Sequence, residues 1–294
     1  MTPLAAAGLL AGAAAVQAPS PPVFGTGIET VYVDAFVTRD GRPVEGLTAT
    51  DFELKDNGVR QRVELVAADE LPLLSVLAFD TSVSLGYRKL AALRAAGRGF
   101  LASLEPDDEA ALLTFSQEVE WLARPTRDKS VVRGALEGLR AQGNTALMDA
   151  LYAAILLPDS RARKLVVLFS DGEDNLSWLG EGEVRAVAER SSALIHVVTV
   201  RSGAGAARHD ASTRDRMKGL REIAEATGGR AWEAESPERL TAAFSEVAEA
   251  MRRRYVLRYE PEGVRRLGWH RIELRLRRRS AHVQARRGYW VADP

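Results

Sequence analysis

The chain has 294 residues, and its 40 Lys and Arg residues balance its 40 Asp and Glu residues, so it carries no formal net charge at neutral pH. With 46% hydrophobic and 27% charged residues, it has the composition of a globular protein that can bury one substantial core and a smaller second one. It contains no cysteine, which excludes disulfide bonds, thiolate zinc sites and cysteine nucleophiles.

The N-terminal segment has the pattern of a signal peptide. Residues 4–16 are an apolar run of h-region length, too short to span a bilayer, and Val16-Gln17-Ala18 before Pro19 resembles a small-residue cleavage site. We therefore expect residues 1–18 to be a signal peptide and the mature chain, which has no further apolar run of transmembrane length, to be periplasmic or extracellular. Because this segment lacks Lys and Arg before the apolar run, a disordered or anchoring leader is the alternative.

Residues 19–70 are predicted to be a β segment that follows a proline-rich spacer. Stretches 29–38, 52–55 and 59–66 alternate in polarity or are rich in β-branched residues, which is typical of short antiparallel strands. Between the last two stretches, Asp56-Asn57-Gly58 predicts a hairpin, since the Asn-Gly pair favours positive φ.

From residue 72 onwards, strand-like and helix-like patterns alternate. This alternation predicts an α/β fold, a doubly wound and mostly parallel six-stranded sheet, over residues 71–254. The expected strands are residues 73–79, 109–115, 118–123, 164–170, 193–200 and 230–233. The expected helices are residues 87–104, 129–140, 146–156, 183–191, 216–226 and 237–253. The short link between the second and third strands predicts a hairpin, and hence one antiparallel edge strand.

The C-terminal segment, residues 255–294, returns to a β pattern. Its expected strands are residues 255–259, 269–276 and 282–291. Neither terminal β segment is long enough to bury a core alone, so we expect residues 255–294 to pair with residues 23–67 in a small β-sandwich beside the α/β domain.

The C-terminal segment is also rich in arginine, with 13 arginines against three glutamates over residues 252–287. Such a face could bind nucleic acid or an anionic polymer. However, Arg275, Arg277 and Arg279 alternate with Leu274 and Leu276, as the solvated face of an amphipathic strand requires. We therefore expect a solvated face and no nucleic-acid partner.

A cluster of hard oxygen ligands follows the first strand of the α/β region. Asp80-Thr81-Ser82-Val83-Ser84 comes directly after the apolar run 71–79, and ligands in open α/β sheets collect just beyond the carboxyl ends of such strands. One carboxylate and two hydroxyls at alternate positions can converge on one cation. The alternative is helix capping, because Asp and Ser after a strand are also ordinary turn and cap residues.

Two later motifs make the cation site the preferred interpretation. Thr145 lies in Gly143-Asn144-Thr145-Ala146-Leu147-Met148-Asp149-Ala150-Leu151, and a second apolar strand ends in Ser170-Asp171-Gly172. The three motifs, in this order, closely resemble the metal-ion-dependent adhesion site of von Willebrand factor type A domains. The resemblance spans about residues 72–255, and it implies the type A fold.

The resemblance also implies roles for individual residues. Ser82, Ser84 and Thr145 would coordinate the cation directly, while Asp80 and Asp171 would act through water. In the family, a carboxylate of a protein partner often completes the coordination shell, so the implied partner supplies an Asp or Glu to the metal. Mg²⁺ is the expected ion because it prefers oxygen ligands and keeps several waters, with Mn²⁺ and Ca²⁺ as alternatives.

Two further aspartates lie near these motifs. We expect Asp149 to be an acceptor at a helix start or behind the ligands, and Asp174 to be a solvated loop residue.

Both flanks resemble those of a bacterial group of secreted type A-related proteins. The residues that carry this second resemblance are Val37-Thr38-Arg39-Asp40-Gly41-Arg42-Pro43-Val44-Glu45-Gly46-Leu47, Asp51-Phe52, Trp269-His270-Arg271-Ile272 and Arg286-Arg287-Gly288-Tyr289. With these flanks, the resemblance covers almost the whole mature chain.

Catalytic signatures are absent from the sequence. It has no G-x-S-x-G, no G-x-x-x-x-G-K-[ST] and no H-E-x-x-H, and its four histidines show no ligand spacing. We therefore expect an exported, cation-dependent protein-binding module and not an enzyme. The alternatives are a phosphoester hydrolase that uses a cation at Asp80, and a structural domain whose site never binds a metal.

Overall fold

A computed structural model describes residues 30–67, 71–158, 163–200, 211–277 and 280–292. The expected signal peptide and the proline-rich spacer lie outside the described residues. Within the described ranges, the helices and strands follow the sequence pattern closely.

The strands in the described residues are numbered in chain order. They are β1 (Val31–Arg39), β2 (Arg42–Pro43), β3 (Phe52–Asp56), β4 (Val59–Gln61), β5 (Glu64–Val66), β6 (Leu73–Asp80), β7 (Glu109–Phe115), β8 (Val119–Thr126), β9 (Arg163–Phe169), β10 (Leu194–Val200), β11 (Ala231–Ala234), β12 (Tyr255–Tyr259), β13 (Gly268–Leu276), β14 (His282–Ala285) and β15 (Gly288–Val291).

The α-helices are numbered in the same way. They are α1 (Gly86–Ala102), α2 (Lys129–Glu137), α3 (Leu147–Leu156), α4 (Glu181–Arg190), α5 (Ala211–Ala226) and α6 (Leu240–Arg252). A 3-10 turn, Pro237–Arg239, precedes α6, so the expected helix at 237–253 begins with a tighter first turn. None of the helices in the described ranges combines the length and the apolar composition needed to cross a lipid bilayer.

Six strands form the central sheet, in the order β11-β10-β9-β6-β7-β8. All neighbouring pairs are parallel except β7 and β8, which form an antiparallel hairpin. Every residue of β6 is buried, which explains its continuous apolar run, because helices cover both faces of a parallel sheet. The predicted doubly wound sheet with one antiparallel edge strand is confirmed.

The direction of winding reverses between β6 and β9. The chain proceeds from β6 through β7 to β8 at one edge, and from β9 through β10 to β11 at the other. In open α/β sheets such a switch point, at the carboxyl ends of the strands, is where ligands bind. The loops that follow β6 and β9 therefore lie where this type of sheet binds ligands.

Helices cover the two faces of the central sheet with separate cores. On one face, α1, α2 and α6 pack around Phe79, Phe100 and Phe244, and the ring of Phe244 meets the other two edge-to-face. On the other face, α3, α4 and α5 bury a second apolar cluster that includes Leu151 and Ile223. This packing fixes the helices that begin beside the switch point.

The two flanks of the chain pair with each other in two antiparallel sheets. One sheet has the order β14-β1-β12-β5, with β2 on β1, and the other has the order β15-β13-β3-β4. Strands from before and after the central sheet alternate in both: β1 pairs with β12 and β14, and β3 pairs with β13. The predicted sandwich of N-terminal and C-terminal flanks is therefore present.

Two expected strands of the flanks each divide into two. The stretch 59–66 forms β4 in one sheet and β5 in the other, and the stretch 282–291 forms β14 and β15, again in different sheets. The division follows from the sandwich geometry, because a strand that changes sheets bends at the corner. The expected hairpin is found between β3 and β4, where Asn57 and Gly58 have φ of 46° and 83°.

The sandwich contacts the central domain through the corner between β14 and β15. The backbone N–H of Arg287 donates to the carbonyl of Ala226 at 3.0 Å, and the guanidinium of Arg286 donates to the carbonyl of Ser191. Gly228 has φ of +83°, and a Cβ there would lie 2.7 Å from the backbone nitrogen of Arg286. The contact therefore depends on glycine for both its backbone conformation and its close approach.

Candidate functional site

The two candidate aspartates lie at the switch point of the sheet. Asp80 is the last residue of β6, and Asp171 follows β9 by two residues. The strands are parallel neighbours with Phe79 opposite Phe169, so both aspartates leave the sheet at the same edge. The fold thus brings together two motifs that are about 90 residues apart in the sequence.

Asp80 is fully buried and accepts hydrogen bonds on both carboxylate oxygens. Its Oδ1 accepts from the backbone N–H of Ser82 at 2.8 Å and from the Ser82 hydroxyl at 2.6 Å. Its Oδ2 accepts from the Ser170 hydroxyl at 2.8 Å. The Ser82 and Ser84 hydroxyl oxygens are 2.9 Å apart, so the first motif places one carboxylate and two hydroxyls side by side.

The local turn at Asp80 recurs elsewhere in the chain with a purely structural role. Asp128 caps α2 and accepts from the backbone N–H of Ser130 at 2.9 Å and from its hydroxyl at 2.6 Å. The Asp128 cap is exposed, whereas Asp80 is buried and accepts from Ser170 of the third motif. Burial and convergence, not the turn itself, therefore distinguish the candidate cation site from helix capping.

Main-chain hydrogen bonds hold the Thr145 loop against the Asp80 loop. The N–H of Val83 donates to the Gly143 carbonyl at 3.2 Å, and the N–H of Gln142 donates to the Thr81 carbonyl at 2.8 Å. Thr145 is buried as a residue, but its hydroxyl oxygen is not among the side-chain atoms in the described ranges that are closed to solvent and lack a hydrogen-bond partner. The main-chain bonds place Thr145 beside the Asp80 loop, where its hydroxyl is a candidate ligand for a cation.

The third loop is fixed to the second through Asn175. Its side-chain carbonyl accepts from the N–H of Thr145 at 2.9 Å, and its own N–H donates to the Thr145 carbonyl at 3.0 Å. Sequence reasoning missed Asn175, and it also missed the bond from Ser170 to Asp80, although Ser170 opens the Ser-Asp-Gly motif. No sequence pattern indicates the role of Asn175, because a single Asn is common in polar loops.

The two neighbouring aspartates both organise this third loop. Asp149 accepts from the N–H groups of Trp178 and Leu179 at 3.1 and 3.0 Å, so it is an acceptor behind the site. Asp174 is half-buried and accepts from the N–H of Met148 at 3.3 Å, in the first turn of α3. The expectation that Asp174 is a solvated loop residue is wrong, because α3 has orphan N–H groups that this carboxylate satisfies.

Lys89 on α1 contributes a positive charge to the cluster. Its ammonium lies 3.3 Å from Oδ2 of Asp171, and the side chains of both residues are largely buried. The sequence gives no sign of this contact, since Lys89 lies on a helix that follows Ser84 and no motif includes it. A cation at the site would therefore be repelled by the Lys89 ammonium, which already neutralises the charge of the Asp171 carboxylate.

Burial raises the pKa of Asp80 from its ordinary value of 3.8 to about 6. The hydrogen bonds from Ser82 oppose this shift, and the nearby carboxylate of Asp171 adds to it. The protein thus holds Asp80 in an environment that disfavours its own negative charge. A bound cation would remove that penalty.

The residues of the cluster fit a hard divalent cation. Two carboxylates and three hydroxyls, from Asp80, Asp171, Ser82, Ser84 and Thr145, are oxygen ligands of the type that Mg²⁺ prefers. No group of three or more His, Cys, Asp or Glu side chains with a metal-binding arrangement occurs in the described residues. A site among these residues would therefore rely on hydroxyls, which leave most of the cation's charge for a further ligand.

Lys89→Met is expected to raise the affinity for Mg²⁺ about tenfold, because it removes a like charge close to the site. Titration calorimetry at low ionic strength would measure the change. Arg88→Met is the matched control: Arg88 is the preceding residue, but it is exposed and paired with Glu238 at 2.6 Å, so its loss should leave the affinity nearly unchanged. An equal effect of both variants would refute a local role of Lys89.

Comparison with known proteins agrees with the fold. Residues 75–173 match the family model of the von Willebrand factor type A domain, a segment that contains all five candidate ligands. No curated protein matches the chain.

Solved structures with the same fold include three of low sequence identity. The von Willebrand factor type A protein from Catenulispora acidiphila is 15% identical, with a TM-score of 0.52, over 87% of this chain and 76% of that one. The type A domain of the type V pilus tip protein Mfa5 from Porphyromonas gingivalis is 14% identical, with a TM-score of 0.50, over 62% of this chain and 95% of that one. Proximal thread matrix protein 1 from the mussel byssus, with a zinc-occupied adhesion-site motif, is 16% identical, with a TM-score of 0.52, over 66% of this chain and 49% of that one. At these sequence identities, the similarity to the three structures shows a shared fold and nothing further.

Proposed function

Because this chain contains a von Willebrand factor type A domain, we propose that it is a protein-binding module of the adhesion type that depends on a divalent cation. Asp80, Ser82, Ser84, Thr145 and Asp171 hold the ion, and Mg²⁺ is its expected identity. An Asp or Glu of a protein partner completes the coordination shell. The module acts outside the cytoplasm, after removal of residues 1–18.

The observation that carries this proposal is the convergence of three loops at the switch point. The loops are held together by main-chain hydrogen bonds, yet the Asp80 carboxylate between them is buried at a cost that raises its pKa to about 6. Structural capping does not explain why this carboxylate is buried, whereas a bound cation would offset its charge. The mussel protein with zinc at its adhesion-site motif supports the view that this fold can accommodate a divalent metal.

A binding role is also favoured over hydrolysis. Hydrolysis requires a general base that can activate a water molecule beside the metal. In the described ranges, the two buried histidines have other roles: His196 Nδ1 accepts from the N–H of Arg230, and His270 Nδ1 bonds to Asp56. With its charge only partly neutralised by hydroxyls, the ion is better suited to capturing an anionic group.

The test is a calorimetric titration of Mg²⁺, and separately of Mn²⁺, into the wild-type chain and the Ser82→Ala variant. We expect saturable binding in the wild type and at least about a tenfold loss of affinity in the variant, since one direct ligand is removed. Ser130→Ala is the matched control, because it deletes the same Asp-Ser hydrogen bond at the exposed cap of α2. It should bind Mg²⁺ like the wild type.

The titration also has outcomes that contradict the proposal. Saturable binding that Ser82→Ala does not weaken would place the ion elsewhere. If the wild-type chain binds neither ion, with and without an acidic peptide present, the proposal of a cation-dependent module fails.

A further inference from the structure

The loops that form the candidate cation site also display unusually exposed apolar side chains. Among the described residues, the three most exposed large apolar side chains are Trp178, Tyr87 and Val83, which are 95%, 82% and 63% exposed. Leu176, in the same loop as Trp178, is 40% exposed. Single exposed apolar residues are common, but a group of them beside a candidate site indicates an interaction surface.

All four residues belong to the segments that carry the candidate ligands or directly follow them. Val83 lies between Ser82 and Ser84, and Tyr87 is in the first turn of α1. The N–H of Leu176 donates to the Thr145 carbonyl at 3.0 Å, so Leu176 is one hydrogen bond from a candidate ligand. Trp178 follows Leu176 by two residues. We call Val83, Tyr87, Leu176 and Trp178 the apolar rim.

The backbone that carries Trp178 is fixed, although its side chain is exposed. Both oxygens of Asp149 accept N–H groups of this loop, from Trp178 and Leu179. The Ser177 hydroxyl accepts from the N–H of Met148 at 2.9 Å, which attaches the loop to the start of α3. Because this loop is already fixed, little backbone entropy is lost when a partner covers its exposed aromatic side chain. Such a side chain is well suited to binding.

The charge at the centre of the apolar rim becomes net positive only when a divalent cation binds, because Asp80 and Asp171 outnumber Lys89 without it. Lys89 lies beside Asp171, and the bound cation would add two further positive charges. The exposed guanidinium of Arg88 is already paired with Glu238 at 2.6 Å, so it is not the main anchor for an anion. A partner surface that is complementary to the apolar rim therefore has one negative group surrounded by apolar groups.

We propose that the apolar rim docks a protein segment in which an Asp or Glu is flanked by large apolar side chains. The inference rests on the proposed function, because the carboxylate of this segment is the one that reaches the cation. Aliphatic Val83 and Leu176 favour apolar side chains over sugar rings, which stack mainly on aromatic residues. In this arrangement the cation binds the carboxylate of the partner segment, and the apolar rim binds the apolar residues that flank it.

The experiment selects binders from a library of short peptides that have a fixed central Glu and random flanking positions. Selection on the wild-type chain is done in Mg²⁺, and bound peptides are eluted with EDTA. We expect enrichment of Leu, Ile, Phe and Trp beside the Glu. The best peptide should bind Tyr87→Ser/Trp178→Ser at least about tenfold more weakly, because exposed aromatic anchors dominate such interfaces.

Val131→Ser is the control variant, since Val131 on α2 is 52% exposed but belongs to none of the three loops. It should bind the peptide like the wild type. Mg²⁺ titration of all variants, without peptide, separates the two hypotheses. Intact Mg²⁺ affinity with lost peptide affinity identifies a defect of the apolar rim alone. If the wild type binds no Mg²⁺ or Mn²⁺ even with an acidic peptide present, the proposed function itself is refuted.

Other results overturn the apolar-rim proposal. Selected peptides with polar flanks, a peptide affinity that the double variant does not change, or no selected peptide at all would each refute it. A polygalacturonate arm tests the carbohydrate alternative. Mg²⁺-dependent binding of this polymer that Trp178→Ser abolishes, with no peptide selected, would assign the apolar rim to a glycan.

Discussion

Asp80→Asn is expected to abolish Mg²⁺ binding and, at the same time, to stabilise the metal-free chain. The wild-type carboxylate is buried, and its pKa is raised from 3.8 to about 6, so at neutral pH its charge costs about 3 kcal/mol of folding free energy. Asparagine removes the charge and keeps the hydrogen bonds. Its carbonyl can accept from Ser82, and its amide can donate to the Ser170 hydroxyl.

The stabilisation should depend on pH in a defined direction. Below pH 3.8, Asp80 is protonated in both the folded and the unfolded chain, so its charge costs nothing there. Between pH 3.8 and about 6 the unfolded chain loses the proton before the folded chain does, and the penalty grows. Above about pH 6 the penalty is complete. The free-energy difference between Asp80→Asn and the wild type should therefore rise from pH 4 to pH 6 and then level off.

Urea unfolding in metal-free buffer at a series of pH values measures this difference. Saturating Mg²⁺ should stabilise the wild type and leave Asp80→Asn unchanged, since a ligand stabilises only the state that binds it. Asp128→Asn is the control. Asp128 makes the same turn, but it is exposed and its pKa is lowered by the hydrogen bonds from Ser130, so its loss should destabilise the chain. If Asp80→Asn is also destabilising at neutral pH, the carboxylate is structural.

The central sheet could be predicted because burial on both faces leaves a direct trace in the sequence. The run that forms β6 is apolar at nearly every position and ends in Asp80, so both the strand and the polar group at its end are visible. The switch point then follows from topology, since the second apolar run ends at Asp171. The three loops could be placed together before the fold was known.

The division of two flank strands could not be predicted, for a physical reason. Residues 59–66 read Val-Arg-Gln-Arg-Val-Glu-Leu-Val, and no glycine or proline marks the place where the chain leaves one sheet for the other. A sandwich corner requires only a local bend, and side chains on both sides of it still face the same core. The pattern therefore indicates β structure but not which sheet each half joins.

The contacts of Lys89 and Asp174 were missed for another reason. A lysine on an amphipathic helix and an aspartate in a loop are usually exposed to solvent, so their sequence positions do not indicate a contact. Lys89 reaches Asp171 because α1 packs against the sheet beside the switch point, and Asp174 reaches Met148 because the third loop folds over the start of α3. Such roles arise from tertiary packing, which single-residue patterns do not encode.

Asp56→Ala is expected to unfold the sandwich more readily than any other single polar substitution in it. Asp56 is fully buried at the end of β3 and accepts from the hydroxyls of Tyr259 and Tyr289 at 3.0 and 2.8 Å, while Nδ1 of His270 lies at 2.9 Å. All three partners come from the C-terminal flank, more than 200 residues later. The polar cluster therefore connects the two flanks at the centre of their common core.

The magnitude follows from the groups that would lose their partner. Burial raises the pKa of both tyrosines, which keeps them neutral donors, and the ring of His270 is stacked on that of Tyr289 at 4.5 Å. Without Asp56 these buried groups keep only one another as partners, such as the Tyr289 hydroxyl and His270 Nδ1 at 3.0 Å, and the expected loss is on the order of 3 to 5 kcal/mol. Tyr259→Phe and Tyr289→Phe each remove one donor and leave the acceptor satisfied, so each should cost only about 1 kcal/mol.

Urea unfolding of the three variants, together with the double variant Asp56→Ala/Tyr259→Phe, measures this coupling. In the Asp56→Ala background, Tyr259→Phe should cost nothing further or restore part of the stability, because it removes a buried donor that has lost its carboxylate acceptor. Tyr32→Phe, at an exposed position of β1, is the control and should change stability by less than about 0.5 kcal/mol.

The same variant tests the proposed division of the chain into flanks, residues 19–70 and 255–294, and a domain at residues 71–254. If the division is right, Asp56→Ala lowers the stability of the sandwich while the folded domain still binds Mg²⁺ with the wild-type affinity. Equal losses of stability and Mg²⁺ affinity would instead show one cooperative unit, in which the corner at Gly228 and Arg286 transmits disorder of the sandwich to the cation site.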